Sequence, residues 1–406
     1  MASARIAIIG AGIGGLAAAV ALRRRGVDVQ IYEQSPALGE VGAGVSLTAN
    51  SLRVLDRLEL MPVLDRTAVA LPRGMQLYRA DGTHVGGSAA TASPGRNVHR
   101  ADLIDVFHAA IGDGRLHLGA KLAGLEQDGA IVRLRFDSGD PVDVDGVVGA
   151  DGIHSAVRRA ILPEKEPVFS GMIAYRGLVP ADRLPGWPMD QATMYLGEGR
   201  HFLVFPVRGR ELLNFVAFVP ADDEMRESWS APGDAEALRR EFAGWAPDVV
   251  RMTEAVERTF RWGLYDRDPL DRWTEGRVTL LGDAAHAMLP HAGQGANQSI
   301  EDAAALAIAL EGRDADEVAH AFADYEETRR VRAGTIQLFA RRLGLEYDAR
   351  RSRAGGDELD RRDERLASNG AIENWIKGHD VEREAAAVRT GTGPRDLPPV
   401  PEPAVA

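Results

Sequence analysis

The feature that most constrains this chain is the run from Arg5 to Glu33, RIAIIGAGIGGLAAAVALRRRGVDVQIYE. Ile6 to Ile9 form a short apolar, β-branched stretch suited to a buried parallel strand, and Gly10, Gly12 and Gly15 then give the spacing GxGxxG, with Gly14 inside it. The first glycine permits the tight turn, the second lets the backbone approach a pyrophosphate, and the third lets the next helix pack close to the strand. That helix, expected over Gly14 to Arg25, presents bare amides and a positive dipole end to phosphates. Glu33 ends a second strand eighteen residues after Gly15. There its carboxylate can accept hydrogen bonds from both hydroxyls of an adenosine ribose, so a dinucleotide with an unphosphorylated ribose is implied.

Ile6 to Leu22 carries no charge, which also fits an export signal or membrane anchor. The clustered glycines would break such a helix, no small-residue cleavage site follows, and export leaves Glu33 unexplained. The chain therefore reads as cytoplasmic, with no stable membrane insertion. Its 406 residues suffice for two or three domains. A net charge of −12 argues against nucleic acid or an anionic bilayer as partner, although a local basic pocket could still hold an anion. The absence of cysteine removes disulfides, thiolate catalysis and cysteine-ligated metal, and the ten histidines show no metal-binding spacing. No metal is expected.

Further along, GEVGAGVSLTANSLRVLDRLEL reads as a glycine-rich loop followed by an amphipathic helix with Leu52, Leu55 and Leu58 on one side. The loop could lie against a flat ring. GMQLYRADGTHVGG is a hairpin signal around Asp81-Gly82, and RNVHRADLIDVFHAAI returns to helical periodicity with Arg100 at its head. VDGVVGADGIHSAVRRAI places Asp151 and Gly152 at a strand-to-helix junction, a turn in its own right that also suits a phosphate-bearing ligand. From Val168 to Trp273 the pattern becomes alternating strands. ATMYLGEG, RHFLVFPVRGR and ELLNFVAFVPA are consecutive and antiparallel, with a turn at Gly209, and His201, Leu203, Phe205 and Val207 share one face. A helix over Ala235 to Trp245, capped by Asp234, is expected next. In GRVTLLGDAAHAMLPHAGQGANQSIEDAAALAIALEG, a strand over Val278 to Leu281 delivers Gly282 and Asp283. A loop over Pro290 to Gly295 and a helix over Ala296 to Leu310 follow, beside the first glycine turn.

Taken together, GxGxxG with Glu33, VGAGVSLTAN, VHRADL, GADGIHSAVR, LLGDAAHAMLPHAGQGANQSIEDA and ENWIKGHDV resemble the single-component FAD-dependent aromatic hydroxylases of the salicylate and 4-hydroxybenzoate hydroxylase type, over residues 5 to 385. The resemblance implies an α/β fold: a Rossmann-like FAD domain (1–72, 97–165 and 276–345), an interleaved antiparallel-sheet substrate domain (73–96 and 166–275), and a C-terminal helical region (346–388). A disordered tail (389–406) is expected from its proline content. It further implies noncovalent FAD, NADH or NADPH as transient cosubstrate, O2, a small phenolic acid as substrate, and a monomer or homodimer serving aromatic catabolism. Hydroxylation would run through a flavin hydroperoxide. A same-fold epoxidase or reductase, or a non-enzymatic FAD scaffold, are the alternatives.

By the same resemblance Gly10, Gly12, Gly14, Gly15 and Glu33 hold the ADP part. Arg100 and Asp283 bind the pyrophosphate and ribityl region. Gly44, Val45 and the loop carrying Pro290, Gly293, Gly295, Ala296 and Asn297 flank the flavin ring, and Asp151, with Arg158 nearby, serves FAD and the nicotinamide. Relatives in the salicylate and hydroxynicotinate branches carry a histidine and, four residues later, a tyrosine on one strand. Here these positions are His201 and Phe205. The expectation is that His201 takes a substrate proton, with Pro290 as the other catalytic position. Leu203, Phe205, Arg176, Pro290 and His291 are expected to contact substrate, with Arg176 and Arg208 both weaker candidates than His201 for meeting an anionic substituent.

Overall fold

The computed structural model describes residues 4–39, 43–87, 94–221, 232–348, 362, 363, 365, 366 and 369–393. A six-stranded sheet has the order Thr274–Glu275, Val278–Leu280, Gly146–Gly149, Arg5–Ile9, Asp28–Glu33, Leu116–Leu118. All its pairings are parallel except the first, at the edge. Strands Arg5–Ile9 and Gly146–Gly149 are buried almost throughout, as an all-apolar run covered on both faces requires. Helix Ile13–Arg24 covers one face and packs on helix Gly295–Leu310. Both are alanine-rich, which permits a close approach of their backbones.

An eight-stranded sheet runs Pro232–Gly233, Thr259–Asp266, Val168–Pro180, Leu212–Pro220, His201–Val207, Ala192–Leu196, Met75–Arg79, His84–Gly87. The expected hairpin forms at Asp81-Gly82, where Gly82 has φ +92° and Asp81 accepts from the Thr83 amide at 2.8 Å. The turn at Gly209 forms at φ +61°. Phe202, Val204, Phe215 and Tyr175 point to one side of this sheet and bury Leu238, Val249 and Met252 of two covering helices. Each large apolar side chain so buried contributes roughly 1.5–3 kcal/mol. Asp234 caps the first of these helices, as expected, by accepting from the Glu236 amide. The helix ends at Glu241 rather than Trp245, because Gly244 takes φ +79° and Pro247 starts a second helix, Pro247–Ala255, at its N1 position. The opposite side of the sheet faces the carboxyl ends of the parallel strands.

The helix Val318–Tyr347 runs continuously across the expected 345/346 boundary, and the C-terminal region adds Gly370–Gly378 and Val381–Arg389. Most of the expected tail, from 394 onward, lies outside the described residues. No described helix is long and apolar enough to cross a membrane.

Candidate functional site

Between the parallel sheet and the inner face of the eight-stranded sheet lies a cavity of about 380 Å³. At its phosphate end the four glycines have separable reasons. Gly10 has φ +106°, and a Cβ there would stand 2.4 Å from the Ala150 carbonyl oxygen. One on Gly15 would stand 2.0 Å from the Gly10 carbonyl oxygen, and one on Gly14 2.7 Å from Leu281. A Cβ on Gly12 would meet no protein atom within 4 Å, yet Gly12 lines the cavity. Three of these glycines are required by the fold, and the fourth keeps open a space beside a helix N-terminus that a pyrophosphate fits. Glu33 accepts from the Ala11 amide at 2.7 Å and the Ser35 amide at 2.8 Å, one on each carboxylate oxygen. Each oxygen retains a lone pair for a ribose hydroxyl.

Arg100 heads its helix, donates its backbone amide to the Ala43 carbonyl at 2.8 Å, and lines the cavity with Asp283. Asp283 is exposed to the cavity, and the protein packed around it pushes its carboxyl above the ordinary range, against the pull of His286 and Arg100. This set of open glycine backbone, a Glu33 carboxylate with lone pairs to spare, and Arg100 and Asp283 lining the same cavity fits the ADP and ribityl parts of FAD.

At the other end Gly44, Val45, Gly293, Gly295, Ala296 and Pro290 line the cavity together. Gly44 donates its amide to Asn214 Oδ1 at 2.7 Å, and a Cβ on it would lie 2.4 Å from the Phe205 ring. Two expected contacts stand behind the lining instead. Asn297 accepts from the Thr48 amide and Ser51 hydroxyl and donates to the carbonyls of Ser46 and Gly293, so it pins the two flanking segments to each other. The Asp151 carboxylate turns away and accepts from the amides of Ala156 and Val157, capping helix Ala156–Ile161, while its neighbours Ala150, Gly152 and Ile153 reach the cavity.

The wall opposite is ruled by strand register. Three rows cross it: Leu178, Asn214 and Phe205 nearest Gly44; Phe260, Arg176, Val216 and Leu203 next; Trp262, Ala174, Phe218 and His201 farthest. Leu203, Phe205 and Arg176 line the cavity as expected, joined by Asn214, Val216, Phe218, Trp262, Leu264, Met288 and Leu289. Arg176 is buried, with its guanidinium 4.5 Å from the Trp262 ring centre.

His201 corrects the sequence reading. It shares the face but not the cavity: its ring stacks on Phe218 at 4.0 Å, is closed over by Tyr347 and His291, and its Nδ1 meets Asp348 at 3.1 Å. The sequence pattern reports which face a strand residue takes, not what covers that part of the face. His291 lies in the same cluster, against Gly344, where burial and the neighbouring His201 hold its imidazole well below its ordinary pKa. Arg208 pairs with Asp102 at 2.5 Å, outside the lining. Asn214 and Trp262 were missed, although Asn214 is the polar interruption of ELLNFVAFV in the phase of Val216 and Phe218.

Beside Gly152 a small crevice with a basic excess gathers His154, Arg158, Arg159, Lys165 and Arg267 together with Glu164 and Glu166. Arg158 donates to the carbonyls of Ala284 and Ile153. Burial and Arg267 bring its guanidinium down to about 10, and the same two causes lower His154.

Residues 3–338 match the family model described as FAD binding domain. The chain is 38% identical over 370 residues to the 3-amino-4-hydroxybenzoate 2-monooxygenase of Streptomyces cremeus, covering 89% of this chain and 91% of that one. It is 36% identical over 419 residues to a salicylate hydroxylase of Pseudomonas putida, covering 96% and 95%. A solved salicylate hydroxylase substrate complex superposes with a TM-score of 0.82 at 31% identity, covering 95% and 98%.

Proposed function

We propose, from the premise that this chain belongs to the FAD-binding-domain family and is an FAD-dependent aromatic monooxygenase, that it hydroxylates a small aromatic carboxylate with NADH or NADPH as reductant. The two curated relatives are named for a hydroxybenzoate and for salicylate, both ring carboxylates. The observation that carries the reading is the continuity of one cavity from Gly12 and Asp283 to the wall of Leu203, Phe205 and Arg176.

Bound FAD, once reduced, supplies the activation of O2. The chain's own residues do the rest. Gly12, Glu33, Arg100 and Asp283 hold the nucleotide, and the Pro290 to Ala296 loop with the helix amides behind it favours negative charge at the ring. Leu203, Val216, Phe218, Trp262 and Leu264 exclude water and clamp a flat ring. Arg176 is the cation on that wall, and its planar fork matches a carboxylate. The basic crevice beside Gly152 is the place we assign to the nicotinamide nucleotide's phosphates. Pro290 sets the loop over the substrate ring, its carbonyl held by the Gly293 amide at 2.9 Å.

The test is stopped-flow reduction of the flavin by NADH and NADPH with a panel of hydroxy- and amino-substituted benzoates, followed by oxygen uptake and product analysis. A ring carboxylate that speeds reduction and leaves hydroxylated is the expected result. If no aromatic carboxylate changes the reduction rate or is oxygenated, the substrate assignment fails.

A further inference from the structure

Five ionisable side chains, His286, Glu301, Asp302, Arg329 and Arg332, are almost wholly removed from solvent. Burying charge is costly unless each group is paired, and an apolar cluster of the same volume is often at least as stable. Here the pairing is dense. Glu301 accepts on one oxygen from Asn50 at 2.6 Å, Arg332 at 3.1 Å and Gln298 at 3.2 Å, and on the other from Arg329 at 2.6 Å and Arg332 at 3.0 Å. Asp302 accepts from Arg329 at 2.8 Å, His286 at 2.6 Å and the Gly282 amide at 3.0 Å.

The outer bonds of this network end in two places. One end is the flavin cradle. Gly282 precedes Asp283, and Asn50 follows the ring-flanking strand Gly44–Leu47 and bonds Gln294 at 3.3 Å. Gln294 lines the cavity and bonds the Thr48 hydroxyl at 3.1 Å. The other end is the C-terminal region. Arg332 donates to the Ile376 carbonyl at 2.9 Å and lies 4.5 Å from the Trp375 ring centre. Trp375 and Ile376 sit in an apolar cluster with Ile336, Phe339 and Leu343, against which Leu203 and Met288 of the cavity lining also pack.

We propose that helix Gly370–Gly378 is a working part of the flavin site, with Arg332 and Trp375 as positioning residues that set the cradle through Glu301. A guanidinium suits position 332 because one planar group bonds both Glu301 oxygens and the Ile376 carbonyl while lying flat against an indole, whereas the compact ammonium of lysine lacks the fixed fork that holds these bonds in one plane. The inference rests on FAD occupying the cavity and not on the identity of the substrate.

The experiment compares three holoenzymes. Arg332→Lys and Trp375→Leu break the strut, while Arg389→Ala loosens the C-terminal region elsewhere, since Arg389 bonds the carbonyls of Ile308 and Glu311 at the far end of helix Gly295–Leu310. The readouts are the FAD dissociation rate, followed by recovery of flavin fluorescence, the visible circular dichroism of the bound flavin, and Tm. Arg332→Lys should release FAD about tenfold faster, the scale of one lost charge-assisted hydrogen bond, and Trp375→Leu roughly several-fold faster through the lost guanidinium–indole contact, both with altered flavin dichroism at saturating FAD. Arg389→Ala should lower Tm with release rate and dichroism unchanged. The proposal is overturned if the strut variants keep the wild-type rate and dichroism, or if Arg389→Ala changes both equally for the same loss of Tm. Should Arg332→Lys not fold, Trp375→Leu against Arg389→Ala decides.

Discussion

The two ends of the cavity are built on different principles. The phosphate end is made of backbone: Gly10, Gly14 and Gly15 are there because a Cβ would collide with the protein, and Gly12 because one would occupy the ligand's space. The substrate wall is made of side chains on a sheet, where register alone fixes that Leu203 and Phe205 face inward, and packing by Tyr347 and His291 decides that His201, two residues away, is sealed off. A backbone site tolerates almost no substitution, whereas a side-chain wall can be refaced one residue at a time. Fixed cofactor and variable substrate follow from that difference.

The largest effects should come from the glycines, and they should split. Gly15→Val forces a methyl onto the Gly10 carbonyl, so the apoprotein itself should melt at lower temperature, with overpacking costing about 1–3 kcal/mol. Gly12→Val should leave apoprotein Tm unchanged and weaken FAD by roughly 100-fold or more, the scale expected when a ligand's charge-assisted hydrogen bonds are displaced. Calorimetric titration and thermal melting of the two apoproteins check this. Equal melting losses would remove the distinction.

Next is Asp283, where binding and stability should move in opposite directions. Its folded pKa is raised by burial, so the apoprotein holds this proton more tightly than the unfolded chain does. Stability is then lost as pH rises from the ordinary carboxylate range through the folded value. Asp283→Asn should therefore raise apoprotein Tm at pH 7 only slightly, because the carboxylate is open to solvent through the cavity, with the gain vanishing near pH 3, while FAD binds about tenfold more weakly. A lower Tm at neutral pH would contradict the sign.

A smaller effect is expected where the two ends meet. Gly44→Ala drives a methyl against the Phe205 ring and the Asn214 side chain, which should slow substrate-stimulated flavin reduction, and Phe205→Leu added to it should recover part of the loss by removing the closer of the two obstacles. The smallest belongs to His201. His201→Gln should leave product formed per nicotinamide oxidised, and its pH profile, as in wild type, although Tm falls through the lost packing on Phe218. A lost acid limb would return His201 to the chemistry.

Much of the fold and of the cofactor end was legible in the sequence because spacing encodes backbone demands: three separate glycine turns and one acid at the right distance specify a strand, a turn and a helix. Less of the wall was legible. Leu203, Phe205 and Arg176 came from alternation, but the cover on His201 and the roles of Asn214 and Trp262 depend on residues more than a dozen positions away in sequence. Asp151 and Asn297 were readable as important positions, yet their side chains turned out to hold a helix and two loops rather than to face the ligand. A motif marks where a side chain is needed without saying which way it points.

The most direct test of the account is calorimetric titration of the apoprotein with FAD and with FMN, each repeated in Glu33→Gln. The account predicts that FAD binds far more tightly than FMN and that the variant weakens FAD alone, because only FAD carries the adenosine that Glu33 and the Gly12 turn are shaped to hold. FMN binding as tightly as FAD, or a Glu33→Gln loss equal for both flavins, would contradict it.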